Sequence, residues 1–147
     1  MAKKIYEKVR DHIRKHDRLF DFLGAEITDM GEGFAEVIME VKDKHLNSAE
    51  VCHGGVIFTL ADLAFALASN SYGNLALAIH TNMSFIKAVK KGDILIARAQ
   101  EFSKGKSLAT YHVIVSKADG EKVAFFEGMV FRFEKSILKK EEDDANS

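Results

Sequence analysis

Val56-Ile-Phe-Thr-Leu-Ala-Asp62-Leu-Ala-Phe-Ala-Leu-Ala68 carries one charge, Asp62, and follows directly on the turn Cys52-His53-Gly54-Gly55. An ionised carboxylate in an apolar helix is costly unless it is paired, hydrated or engaged in chemistry. Asp62 is therefore a candidate functional group on physical grounds, although an acid in such a place also serves as a structural hydrogen-bonder. A membrane span needs about 20 apolar residues, so this shorter run reads as a buried central helix with its one acid facing a site.

Working outward, the helix is predicted from about Gly54 to Tyr72, ending before Gly73. Before it, Phe34–Val41 alternates, with Ala35, Val37, Met39 and Val41 on one side and Glu36 and Glu40 on the other, as in a half-buried strand. Gly31-Glu32-Gly33 reads as a hairpin turn and Asp43–His53 as a polar loop. After the helix every segment reads as strand: Leu75–Ile86, Asp93–Phe102, Leu108–Lys117 and Lys122–Phe133. The last three are joined by short Gly-containing loops, an antiparallel meander. Residues 3–23 place Ile5, Val9, Ile13, Phe20 and Leu23 among charges, as an N-terminal amphipathic surface helix would. Residues 24–138 are predicted to form the main domain, and the charged tail Lys139–Ser147 to be disordered. The chain has no Pro, so its turns rely on Gly, Asn and Asp.

A chain of 147 residues suits one domain. A net charge of −1 argues against a general nucleic-acid binder, which needs a cationic excess. One cysteine, Cys52, excludes an intrachain disulfide framework, and no apolar leader is visible behind Met1-Ala2-Lys3-Lys4. A cytoplasmic protein with no membrane contact is the resulting expectation. Asn82-Met83-Ser84 matches a glycosylation sequon by chance on that view. His12 and His16, at i,i+4, have the spacing of metal ligands, but a solvated helix face is the simpler reading, so no metal is expected. Cys52 beside His53 resembles a nucleophile pair, yet neighbours in an extended loop point apart, and a buried inert thiol fits better. Burial then fixes the architecture. The fold class is α+β: an antiparallel sheet of about five or six strands wrapped around one long hydrophobic helix, which needs covering on every side.

The run His45-Leu46-Asn47, then Cys52-His53-Gly54-Gly55-Val56, then Phe58-Thr59-Leu60-Ala61-Asp62 resembles the signature of hotdog-fold acyl-CoA thioesterases. The phenylacetate-degradation (PaaI-like) type is most similar, over about Phe20 to Phe133. Asn, His-Gly-Gly and Asp at this spacing form a specific combination, whereas any one element alone is weak. The resemblance implies a single hotdog domain, an acyl-CoA substrate, no separate cofactor, and a site built across a homodimer interface, often within a homotetramer. It also implies that His80, Phe85 and the turn Lys104-Gly105-Lys106-Ser107-Leu108 meet coenzyme A. Two departures stand out: Ala66 and Ala78 where relatives often carry a small hydroxyl residue, and Ala88 where they usually have Pro.

Thioester hydrolysis needs a base or nucleophile, a positioned water, and donors for the charge developing on the carbonyl oxygen. Asp62 supplies the first, as base or as nucleophile, with a pKa expected to be raised by burial. Gly54 and Gly55, at the helix start, offer unsatisfied N–H groups and the positive end of the helix dipole. Asn47 is placed to hold water or thioester through its amide, and His53 to orient the loop or the substrate. Asp62 lies about 12 Å along the helix from Gly54, too far for one carbonyl to touch both within a chain. Two subunits are therefore required. Phe58, Phe65, Met83 and Phe85 are the apolar residues expected to line an acyl slot for an aryl-acetyl or medium-length chain. A non-catalytic acyl-CoA-binding hotdog module is the alternative reading.

Overall fold

The computed structural model describes residues 2–138; the tail 139–147, expected to be disordered, lies outside the described residues. Two helices, α1 (Ile5–His16) and α2 (Leu19–Leu23), precede the hairpin β1 (Glu26–Gly31) and β2 (Phe34–Glu40). The central helix α3 (Gly54–Asn70) follows, then β3 (Asn74–Phe85), β4 (Ile94–Lys104), β5 (Leu108–Lys117) and β6 (Lys122–Ser136). The six strands form one antiparallel sheet in the order β1-β2-β4-β5-β6-β3. The chain is thus a single α+β unit with the predicted meander in its last three strands, while β3 pairs with β6 and forms the far edge.

Alternation places the core. On β2, β4 and β5, Ala35, Val37, Met39, Leu95, Ala97, Ala99, Tyr111, Val113 and Val115 are buried on the face that meets α3, which contacts all six strands. Small residues let helix and sheet approach closely. Gly128 of β6 lies under the Phe65 ring, where a Cβ would come within 2.5 Å of a ring carbon. The helix stops at Asn70, two residues earlier than predicted. Asn70 Nδ2 donates to the carbonyls of Ala66 and Ala76, and its Oδ1 accepts from Ala76 N–H at 2.9 Å. Ser71 Oγ donates to Ala68 C=O and accepts from Gly33 N–H, both at 2.7 Å, which bolts the β1–β2 turn to the helix end.

Three expectations are corrected. Residues 3–23 do not form one helix: Asp17 is extended (φ −86°, ψ 111°), and its Oδ1 accepts from Leu19 N–H to start α2. His12 and His16 of α1 stack at 4.5 Å and are half-buried, not on a solvated face. Nor is α3 covered all round within the chain. Gly55 is exposed and Thr59, Asp62 and Ala66 are half-exposed. These residues recur at helical spacing, so they form one stripe that the sheet does not reach.

Gly128→Ala should lower stability by about 1–3 kcal/mol through overpacking against Phe65. Urea unfolding should show a lower midpoint with an unchanged slope.

Candidate active site at the head of the central helix

The loop before α3 is tied from both ends. Asn47 Oδ1 accepts from Ala49 N–H at 2.8 Å and Val51 N–H at 3.3 Å, and Asn47 N–H donates to Val51 C=O at 2.8 Å. Its carboxamide oxygen is therefore spent on the loop. The Nδ2 group has no partner among the described residues and remains available as a donor. His45 anchors the loop from beneath: it is buried, its Nδ1 accepts from Lys42 N–H at 2.9 Å, and its carbonyl accepts from His53 N–H at 2.7 Å. Burial pushes its pKa down, keeping it neutral.

His53 is the N-cap of α3, its Nδ1 accepting from Gly55 N–H at 3.0 Å. The Nδ1 lone pair is used in this contact, which leaves Nε2 as the ring's free position. Gly55 N–H is consequently engaged, contrary to the expectation that both glycines offer free donors. Gly54 N–H alone has no partner among the described residues, and it keeps the dipole end of a 17-residue helix. Phe85 lies against it: a Cβ on Gly54 would stand 3.2 Å from the ring, so glycine is what lets other atoms come close. Cys52, Gly54, Ile57, Phe85, Lys87 and Val89 border a hollow of about 250 Å³ at this point. Cys52 itself is inert, its buried thiol pushed up to about 11.

Asp62 is half-buried and makes no hydrogen bond or ion pair with any described residue. Its pKa is raised, first by burial and then by the negative charge of Asp17 at the α1–α2 corner. Nothing in the local sequence pairs Asp17 with Asp62, because they meet only through the packing of α1 on α3. Asp62 is thus a carboxylate without a partner among the described residues, its pKa held above the ordinary aspartate value by burial and by Asp17.

The residues expected to meet coenzyme A fall in separate places. Phe85 joins the Gly54 end of α3. His80 lies on the outer face of the sheet, in a groove with Phe102, His112, Glu127 and Met129. The Lys104–Leu108 turn sits at the other end, beside Tyr72. There Gly105 N–H donates to Leu108 C=O at 2.8 Å, and Lys104 Nζ lies 3.9 Å from the centre of the Tyr72 ring. Arg132 donates from Nη1 to the carbonyls of Gly105, at 2.9 Å, and Lys106, at 3.3 Å. Lys104 is thus partly occupied by the ring, while Lys106 and Ser107 are exposed. Arg132 and Tyr72 were not anticipated; an arginine between Phe131 and Phe133 was the one visible signal. Among the described residues no three His, Cys, Asp or Glu side chains gather as a metal site.

A hotdog sheet around an apolar helix, with an unpaired carboxylate half-way along that helix and a free N–H at its head, defines a class. The chain belongs to the thioesterase superfamily, whose family profile matches residues 49–124, and it is a thioester hydrolase. Within that class it is PaaI-like. It is 39% identical over 118 residues to the acyl-coenzyme A thioesterase PaaI of Escherichia coli, covering 80% of this chain and 84% of the relative. The solved E. coli PaaI structure superposes with a TM-score of 0.87 and 35% identity over 89% of this chain and 95% of that one. A protein of Archaeoglobus fulgidus named as a candidate esterase is 50% identical over 89% of this chain and 86% of its own length. The smu.793 protein of Streptococcus mutans, solved bound to acetyl CoA, matches with a TM-score of 0.74 and 29% identity over 76% of this chain and 90% of that one.

His53→Ala should cost about 1 kcal/mol of stability, the usual worth of a side-chain N-cap. A thermal melt followed by circular dichroism checks this.

Proposed function

We propose that this thioester hydrolase cleaves acyl-CoA to free acid and coenzyme A, acting on an aryl-acetyl or medium-length acyl group. The observation that carries the reading is the pairing, on one helix, of an unpaired Asp62 with raised pKa and an unpartnered Gly54 N–H. Relatives named as acyl-coenzyme A thioesterases, and one solved with acetyl CoA, support the substrate class. In the reaction Asp62 takes a proton from water as the water oxygen bonds to the thioester carbon. The carbonyl electron pair moves onto oxygen, where Gly54 N–H and the helix dipole meet it. Collapse then breaks the C–S bond, and the proton on Asp62 passes to the departing thiolate. Direct attack by Asp62, with an acyl-carboxylate anhydride hydrolysed afterwards, uses the same groups. Asn47 Nδ2 donates to the water or the thioester, and His53 holds Gly54 in place through the cap. Lys106 and Ser107, on the turn held by Arg132, meet the nucleotide phosphates. Water is the only co-substrate, and no cofactor takes part.

Asp62 and Gly54 stand about 12 Å apart on one continuous helix, so the site forms between the Gly54 of one protomer and the Asp62 of another. The far-edge strand β3 supports this assembly: Leu77, Ile79, Phe85 and Ile86 along and just beyond it are 53–56% exposed, an open edge that a second copy would cover. Phe102, Leu108 and Phe131 on or beside the outer sheet face favour further association into a tetramer. Among the described residues no helix is long and apolar enough to cross a membrane. A cytoplasmic location belongs to this proposal.

Asp62→Asn should reduce thioester turnover about 100-fold or more, read as thiol release across a panel of acyl-CoAs. Wild-type kcat/KM should fall on the acid side with an inflection above the ordinary aspartate value of 3.8. The linkage has a sign. A carboxylate whose folded pKa lies above its unfolded one loses stability as pH rises through that interval, so at neutral pH Asp62→Asn should melt higher than wild type. A wild type that binds acyl-CoA without ever hydrolysing it would sink the enzyme reading and leave a binding module. Ile79→Lys should yield a monomer by sedimentation with turnover lost; a fully active Ile79→Lys monomer would refute the shared site.

A further inference from the structure

The turn between β4 and β5 is shaped by a residue from neither strand. Arg132 of β6 donates from Nη1 to the carbonyls of Gly105 and Lys106, at 2.9 and 3.3 Å, and its own N–H donates to Ser107 C=O at 2.7 Å. Three consecutive carbonyls of the turn therefore face Arg132. The rest of the guanidinium is turned the same way: Nη2 donates to Asn74 Oδ1 at 3.4 Å, and Nε is buried without a partner among the described residues. Little of the fork is left to reach a ligand. At the first residue of the turn, Lys104 is laid over the Tyr72 ring, whose hydroxyl donates to Glu101 Oε1 at 2.7 Å.

In a trans peptide the C=O and the N–H point in opposite directions. Gly105 C=O shares its peptide with Lys106 N–H, and Lys106 C=O shares its peptide with Ser107 N–H. Carbonyls turned onto Arg132 thus turn these two N–H groups away from it. Neither N–H has a partner among the described residues, and both residues are exposed. Successive N–H groups presented together suit an anion. A peptide whose oxygen is held by a cation is also polarised, which makes its N–H the better donor. Charge alone does not mark this spot, because Glu32, Glu101 and Glu134 lie around Tyr72 as Lys104 and Arg132 do. The direction of the donors does.

We infer that Arg132 is a positioning residue for the nucleotide of acyl-CoA: it holds the turn so that the N–H groups of Lys106 and Ser107 meet a phosphate that the guanidinium itself does not touch. This rests on the proposed thioesterase function, in which the turn meets the nucleotide, and adds what gives the turn its grip. Glycine at 105 leaves the turn pliable, so without the arginine its peptides rotate toward water and the shared direction of the donors is lost. The arginine reaches no reacting atom, and its effect therefore belongs in KM and not in kcat.

The test uses the full chain with hexanoyl-CoA and with hexanoyl-N-acetylcysteamine, which has the same thioester and no nucleotide, followed by thiol release. Arg132→Ala should raise KM for hexanoyl-CoA about tenfold, with kcat and the KM of the short thioester unchanged. Arg132→Lys should do nearly the same, because an ammonium lacks the planar fork that spans two carbonyls. ADP, which carries the diphosphate of coenzyme A, should shift the Lys106 and Ser107 amide signals of wild type in nuclear magnetic resonance, and Arg132→Ala should abolish those shifts. Equal losses on both thioesters, or an unchanged KM in folded Arg132→Ala, overturn the role. A wild-type KM in Arg132→Lys, or amides of Lys106 and Ser107 that ignore ADP in wild type, overturn action through the turn. These last two readings decide the matter even if Arg132→Ala does not fold. If wild type hydrolyses neither thioester, the thioesterase reading falls by itself, and the amide shifts with and without Arg132 still decide the positioning.

Discussion

Covering α3 is the constraint on which the rest of the molecule depends. A 17-residue helix whose only charge is Asp62 cannot stand in water, and one antiparallel sheet of six strands supplies most of its cover. Close approach makes that cover effective, with Gly128 under Phe65 and alanines along β4 taking the helix almost onto the backbone. The N-terminal helices extend it. Gly55, Thr59, Asp62 and Ala66 remain open along one stripe, and the proposed chemistry uses the acid on it. Incomplete burial is what suits Asp62 to the proposed role: the acid is dry enough for its pKa to rise and wet enough to be reached.

The head of the helix shows a division of labour among groups that sit together in the sequence. His45 and the Asn47 oxygen are consumed in shaping the loop, and His53 is consumed in capping Gly55. These commitments leave Gly54 N–H and Asn47 Nδ2 without partners among the described residues. A loop in which every donor was satisfied would be more stable and would have nothing to offer a carbonyl oxygen.

Much of this was legible beforehand because periodicity and turn chemistry are local. The alternation of Phe34–Val41, the apolar run through Asp62 and the Gly-punctuated strands each state their own structure. Legibility failed where geometry is made by distant partners. The break at Asp17 follows from an Asx-type cap that competes with helix continuation, and Asp17 meets Asp62 only after α1 has packed. Arg132 reaches the carbonyls of Gly105 and Lys106 from a strand 26 residues or more away. The engagement of Gly55 was missed for a subtler reason, since histidine is seldom counted among N-caps. Aromatic residues near the signature suggested a slot, but packing sent Phe65 inward.

Strand β3 follows the helix in the chain yet finds its partner in β6, the last of the described strands. On the ribosome, β3 must therefore wait beside α3 with both edges unpaired while β4 and β5 are synthesised and join β2. The sheet closes from the opposite side and reaches β3 only when residues up to about 136 have emerged. Contacts of such long sequence separation are slow to form. Because the chain has no proline, no X–Pro isomerisation adds to that delay. For a nascent copy of this protein, the interval before β6 arrives is when its apolar edge is most open to neighbouring chains.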